Sequence, residues 1–423
     1  MAVGTTGVLA RGRAVSDLRR RVTGALYLML AAVMAGPFGV GVPSSSDARF
    51  VLNQGAAVRI PDAVVPVRPF AIVLAAVCAY LGAYQLVRGF GRRAGLVLGA
   101  VLALFILSFL AWADHGNSMN LAGLLGSTLL RAVPLTLGAL SGVLCERSGV
   151  INVAIEGQFL VAAFAGALVA SATQALWVGL VAGVLVGGLM GGLLAVLAIR
   201  YRVDQIVVGV VLDLFALGLT GFLTDRVLIP HQGSLNTPNL LASVEIPLLA
   251  KIPLLGPILF DQNVFVYLMY VLLVVVHVAL FHTRWGLRVR AVGEHPRAAD
   301  TVGIRVLAVR YRNVVLGGMV AGLGGAYFTL GSVGSFAKNM TSGRGFIALA
   351  AMIFGRWSPL GAFAAALLFG FADALQSVLA VLNVPIPSQF LLMAPYIATV
   401  LAVAGLVGRV RSPAADGQAY VKQ

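Results

Sequence analysis

Eleven long apolar runs govern what this chain can fold into. They fall near 22–43, 69–88, 95–112, 121–144, 153–172, 176–198, 205–223, 264–282, 313–331, 360–380 and 389–408. Runs of about 18 to 23 apolar residues match the length an α-helix needs to cross a hydrocarbon core. A further, shorter run at 345–355 reads as a broken or short crossing. Composition agrees, since 60% of the 423 residues are hydrophobic and only 11% charged, outside the ordinary range of soluble domains. The expected fold is all-α: a polytopic integral membrane helical bundle of 11–12 spans, with broken helices among them.

The same spans assign every loop to a side, and the basic residues test the assignment. With the amino terminus cytoplasmic, 22 of the 30 Lys and Arg residues fall on the cytoplasmic side. Seven fall outside (Arg49, Arg59, Arg68, Arg226, Lys251, Lys338, Arg344), and Arg131 lies within a span. A missed crossing would invert every later loop and scramble this partition. Both termini are therefore expected in the cytoplasm of a multi-pass cell-membrane protein. The first apolar run follows a basic segment, as in a signal peptide, but it is long and has no small-residue cleavage site, so it reads as a retained helix.

Several function classes are disfavoured. The net charge of +15 is spread over many short loops, which fits orientation and not a nucleic-acid partner. A phosphate-cradling loop needs glycine before its lysine, and Lys251, Lys338 and Lys422 follow Ala250, Ala337 and Val421. The five histidines have no metal-ligand spacing, and Cys78 and Cys145 make neither a disulfide framework nor a metal site.

Three stretches break the apolar pattern. From Arg284 to Arg312 a basic loop carries Pro296, Ala298, Ala299 and Gly303; the proline predicts a small amphipathic helix, suited to docking on the membrane face. From Cys145 to Phe159, CERSGVINVAIEGQF places Glu146, Arg147, Ser148, Asn152 and Glu156 between two runs. This is either a solvated cytoplasmic hairpin or a discontinuous helix lining a path. From Gly343 to Gly361, GRGFIALAAMIFGRWSPLG breaks a second run. Two such breaks are what an internally repeated transporter core carries at its binding site.

Arg131, Glu156, Asp213 and Asp373 are ionisable residues within spans, where charge is costly without a role or a partner. One bland alternative is structural pairing, for instance Arg131 with Asp213. The substrate-path candidates are Arg131, Glu146, Ser148, Asn152, Glu156, Asp213, Phe346 and Asp373. Phe346, with Phe354 and Trp357, could offer aromatic surface to a ligand or could anchor an interface.

Four segments resemble the permease subunits of ATP-binding-cassette importers for ribose, branched-chain amino acids and nucleosides, most of all the nucleoside type. They are PLTLGALSGVLCERSGVINVAIEG (134–157), VVGVVLDLFALGLTGFL (207–223), WGLRVRAVGEHPRAADTVGI (285–304) and GFIALAAMIFGRWSPLGAFAAALLFGFADALQ (345–376). The resemblance spans roughly residues 121–410. It implies that Glu294, Arg297, Ala298, Ala299 and Gly303 form a coupling helix seated on a cassette ATPase. The family signature has glutamate before the two alanines where this chain has Arg297, and favours asparagine where it has Asp213.

The resemblance further implies a second related permease, a substrate-binding lipoprotein of the basic-membrane-protein type, and a small-molecule substrate. No cofactor is expected on this chain, with ATP and Mg held by the partner ATPase. Residues 1–115 are expected to form an extension of about three transmembrane helices, 116–411 the permease core, and 412–423 a disordered cytoplasmic tail. The expected function is nucleoside import by alternating access, without an ATPase site of its own. The alternatives are a ribose or other simple-sugar importer, or an ion-coupled secondary transporter.

Overall fold

A computed structural model describes residues 3–53, 60–382, 393 and 412–422. The chain divides into two compact units, Met1–Leu124 with Leu375–Phe390, and Leu125–Ala374 with Leu391–Gln423.

In the first unit, α1 (Val3–Ala35) runs on through a π-helical turn, Gly36–Val40, that contains Pro37. It is followed by α2 (Val67–Val87) and α3 (Ala94–Ala113). Tyr27, Met34, Phe38, Cys78 and Val101 form their buried core. The Phe38 ring stacks on Trp112 at 5.1 Å and meets Phe109 edge-on at 5.7 Å. A small sheet joins the helix ends: β1 (Asp47–Val51) pairs antiparallel with β2 (Ala63–Pro66) and parallel with β3 (Ser118–Asn120). Asp114 holds its middle strand, accepting the Arg49 N–H at 3.0 Å.

The following helices are α4 (Leu121–Glu146), α5 (Ile155–Thr173), α6 (Leu176–Ala195) and α7 (Gln205–Leu223). Asp204 starts α7 by accepting the Ile206 and Val207 N–H groups, each at 3.0 Å. The proline-rich segment after it holds two short helices, α8 (Gln232–Leu235) and α9 (Leu255–Leu259), and an antiparallel pair, β4 (Ser243–Glu245) with β5 (Asp261–Asn263). Then come α10 (Val264–His282), α11 (Arg284–Glu294), α12 (Pro296–Thr301), α13 (Val306–Ala326), α14 (Arg344–Phe354) and α15 (Pro359–Val381). π-helical turns extend α6, α7 and α13.

Ten helices among the described residues are long and apolar enough to span a bilayer, and Arg344–Phe354 is the shorter apolar helix. They coincide with the expected runs; the expected span at 389–408 lies outside the described residues. In the span windows of α4, α5 and α13, 89%, 78% and 72% of residues are buried, against 33% for α7 and α10. The first three are therefore interior helices. Apolar on every face, as a helix surrounded by protein must be, α5 buries even Glu156 and Gln158. α6 and α13 approach closely through glycine: a Cβ on Gly187 would stand 2.4 Å from the Gly322 Cα. Small residues are what permit such close packing where no hydrophobic effect drives helices together.

Candidate functional site

The basic loop folds as two capped helices. Thr283 Oγ1 accepts the Gly286 N–H at 3.2 Å and starts α11. His295 Nδ1 accepts the Ala298 N–H at 3.2 Å, and Pro296 occupies the first helical position of α12, where its missing N–H costs nothing. The helix ends when Gly303 turns to φ +83° and the Ile304 N–H returns to the Ala299 carbonyl at 3.1 Å. Glu294, Arg297, Ala298 and Gly303 are exposed. Ala299 is not: it turns inward and packs with Val292, Val306 and Tyr420.

Tyr420 belongs to the tail expected to be disordered. Residues 412–422 instead run in turns against the loop. The Ala415 N–H donates to the Gly293 carbonyl at 2.9 Å, and Arg310 Nη1 donates to the Gln418 carbonyl at 2.7 Å. Ala415 and Tyr420 are buried. Polarity suggested disorder, but two small or aromatic anchors and an arginine partner supply the burial and the hydrogen bonds that order the segment. Asp416 lies within hydrogen-bonding reach of Glu146, and burial pushes its carboxyl up to about 6.

Between α4 and α5 the chain is not helical over residues 147–154, and Ser148, Asn152 and Ala154 are fully buried. This overturns the solvated-hairpin alternative, because Glu146 is itself buried and accepts the Trp357 Nε1–H. Arg147 Nε donates to the Trp357 carbonyl at 2.9 Å. Ser148 Oγ donates to the Cys145 carbonyl at 2.7 Å, and Asn152 Nδ2 donates to Ser141 Oγ and Gln158 Oε1, each at 3.2 Å. Gln205 Oε1 takes the Ile151 N–H at 2.7 Å. Backbone freed by the break is thus met by side chains, as an unwound segment among apolar helices requires.

The break and the basic loop touch. A Cβ on Gly293 would sit 2.3 Å from the Arg147 carbonyl oxygen, so the end of α11 lies directly on the start of the unwound segment. From there Arg147 reaches Trp357, just beyond the carboxyl end of α14. At the other end of α14, the Glu156 carboxylate accepts the Thr341 hydroxyl at 2.6 Å and the Gly343 and Gly345 N–H groups at 2.7 and 2.6 Å. A carboxylate on free first-turn amides satisfies orphan donors and complements the helix dipole. Asp213 similarly takes the Gly157 N–H at 2.6 Å.

Arg131 does not pair with Asp213. Its Nη1 lies 2.6 Å from Asp373 Oδ2, and Arg344 approaches the same oxygen at 3.9 Å. All three side chains are about one third exposed, at 31%, 30% and 34%. The Arg344 guanidinium also lies over the Phe328 ring at 5.8 Å, within cation–π range. Phe346 is exposed one turn into α14.

The candidate path residues therefore fall into two groups. Glu146, Ser148, Asn152, Glu156 and Asp213 are buried, each bonded to its own partners, while Arg131, Asp373 and Phe346 are accessible, the first two as an ion pair. Arg344 stands between the two glycines that bind Glu156, so the groups meet at the amino end of α14. Sequence reasoning placed Arg344 in an outside loop and missed Gln158, Gln205, Thr341 and Arg310. Arg344 and Thr341 immediately precede the short apolar run, and that position was the available signal.

A bundle of spanning helices, two of them broken around a polar network, with a capped helix pair leading to that network, defines a multi-pass membrane protein of the transport class. The chain belongs to the family described as branched-chain amino acid transport system / permease component, whose model matches residues 124–407.

Individual relatives are similar along the same region. The guanosine ABC transporter permease protein NupQ of Bacillus subtilis is 40% identical over 70% of this chain and 95% of its own length. The nucleoside ABC transporter permease protein NupC of Lactococcus lactis is 38% identical over 71% of this chain and 96% of its own. The putative glucose ABC transporter permease protein TsgC13 of Haloferax volcanii is 34% identical over 60% and 77%. No solved structure matches the chain significantly.

Proposed function

We propose that this chain is the membrane permease of an ATP-driven nucleoside importer. The observation that carries the substrate class is the 40% identity to a guanosine permease over 95% of that protein's length. In this reading the protein sits in the cell membrane with both termini cytoplasmic. It pairs with a second related permease, receives substrate from a lipoprotein and binds no nucleic acid. It carries no cofactor, and ATP and Mg belong to a separate cassette ATPase docked on α12.

The geometry supports a route for the coupling. Rigid capping by His295 and Gly303 lets α12 move as a body, and α11 bears on the Arg147 carbonyl through Gly293. Displacement of Arg147 pulls on Trp357 and hence on α14, whose other end holds Glu156 and Arg344. Closure of the cassettes would thereby reach the polar cluster and alternate its access. A nucleoside is neutral and needs hydrogen-bonding groups with an aromatic face; Arg131, Asp373 and Phe346 supply both at the accessible end of the network.

A second reading, import of a simple sugar, is favoured by the 34% likeness to the putative glucose permease. The test is ATP hydrolysis by the complex that copurifies with this chain, with guanosine or glucose, each with and without the lipoprotein. Stimulation that needs both guanosine and lipoprotein supports the proposal. Stimulation by glucose alone moves the assignment to sugars, and uptake that follows an ion gradient without ATP overturns it.

A further inference from the structure

We propose that the face of α13 shared with α10 and α11 is a binding site for one anionic phospholipid, its phosphate held by Arg288, Arg305 and Arg312 and an acyl chain laid in the adjoining apolar groove. Two cavities meet there. One, of about 730 Å³, lies between α11 and the start of α13, and those three arginines line it with Leu287 and Val302. The other, of about 470 Å³, is lined by apolar side chains alone, among them Val271, Val275, Leu316 and Leu323.

Trp285 lines both cavities. Arg312 and Leu316 are one helical turn apart on α13, so the same helix face passes from one cavity to the other. The distance along that face from Arg312 to Leu323 is about 16 Å at 1.5 Å per residue. That is about one leaflet of a hydrocarbon core ~30 Å thick. A tryptophan at the junction of a basic pocket and an apolar groove is in the place where amphipathic rings mark a membrane–water interface.

Charge selects the ligand. Among the described residues no acidic side chain lines the arginine cavity, and Arg288, Arg305 and Arg312 enter no ion pair. Three guanidinium groups gathered beside lipid-facing surface call for an anion, and basic pockets between helices at the membrane surface suit lipid headgroups. Leu287 and Val302, 62% and 75% exposed, crowd the same mouth. A free phosphate would leave these apolar side chains and the groove uncovered, whereas a phospholipid covers both. A protein carboxylate docked from the aqueous side would meet the arginines but not the groove, since Val271 and Val275 remain exposed within the spanning part of α10.

The test is native mass spectrometry of the full chain, in its complex, released from micelles containing equal dioleoyl phosphatidylglycerol and dioleoyl phosphatidylcholine. The expected result is selective retention of phosphatidylglycerol. Arg305→Gln with Arg312→Gln should lower it about 25-fold, at about fivefold per arginine near a membrane surface. Val275→Trp, which fills the groove, should lower it while leaving the arginines intact. Arg305→Lys with Arg312→Lys keeps the charge and should keep most of the selectivity. Equal retention of the two lipids overturns the proposal. So does full displacement of phosphatidylglycerol by millimolar inorganic phosphate, which would mark a free-anion site. Unchanged lipid in the glutamine variant, with loss of a copurifying ATPase, would make the surface a protein contact. Should the glutamine variant fail to fold, Val275→Trp and the phosphate competition decide on their own.

Discussion

Glu156 accepts the N–H of Gly345 at 2.6 Å across 189 positions of sequence. The bond ties the first turn of α5 to the first turn of α14, the two helices that begin beside the breaks. With Thr341 and Gly343 on its other oxygen, the carboxylate is fully engaged and acts as the anchor of α14 in this conformation. A residue that lines the polar region can thus also fix its geometry.

Removing that anchor should cost stability and transport together. Glu156→Ala orphans the buried Thr341 hydroxyl and Gly345 amide and the half-buried Gly343 amide, and an unsatisfied buried donor costs about 1–3 kcal/mol. Glu156→Gln keeps the shape and one acceptor oxygen and should lose less. Thermal unfolding in detergent should order the three proteins wild type, Gln, Ala, with substrate uptake in the same order. An Ala variant as stable and active as wild type would remove Glu156 from the site.

Gly343 and Gly345 should respond differently to alanine. At Gly345 a Cβ would stand 2.4 Å from the Glu156 nitrogen, and backbone cannot yield, so Gly345→Ala should separate α14 from α5 and abolish uptake. At Gly343 the nearest atom to a Cβ is 4.0 Å away and only the φ of +79° is unfavourable, a strain of about 1–2 kcal/mol. Gly343→Ala should remain assembled with reduced uptake. Parallel expression and uptake assays distinguish a steric from a conformational requirement.

The spans were legible because each is a continuous apolar run, and lipid allows such a run few structures. The short helix α12 was legible from Pro296 and Gly303, which act on their own backbone. What escaped was long-range. Arg131 selects Asp373 over Asp213, a choice made by how α4 and α15 pack, and no local pattern encodes it. The sequence left Glu146 and Arg147 open between a solvated turn and a buried break, because charge usually means water. Their partner Trp357 is 211 positions from Glu146. The tail looked disordered for the same reason: its anchors, Gly293 and Arg310, lie more than a hundred residues away.

Gly303→Asp should leave the protein inserted. No atom lies within 4 Å of a Cβ there, and aspartate tolerates the left-handed backbone better than most residues. The added carboxylate stands exposed, at the rim of the cavity that Arg288, Arg305 and Arg312 line. If α12 is the seat of the ATPase, hydrolysis should lose its dependence on substrate and uptake should fall about tenfold or more, while expression is retained. Normal substrate-stimulated hydrolysis in this variant would exclude the docking role.

Attachment of the tail should depend on pH through Asp416. Burial raises its carboxyl from 3.8 to about 6 in the docked state, so docking takes up a proton. Its hydrogen bond with Glu146 pulls the other way, with Asp416 as the acceptor, but burial outweighs it. A raised acid means that protonation favours docking. Attachment should be strongest below about pH 4, weaken as pH rises through about 6, and change little above. A spin label at the exposed Val421 should therefore become more mobile between pH 5 and pH 8. Asp416→Asn, which keeps an acceptor oxygen toward Glu146 and does not titrate, should hold the label immobile at both. A label equally immobile at both pH values in the wild type would show that the hydrogen bonds of Ala415 and Gln418 hold the tail without the proton.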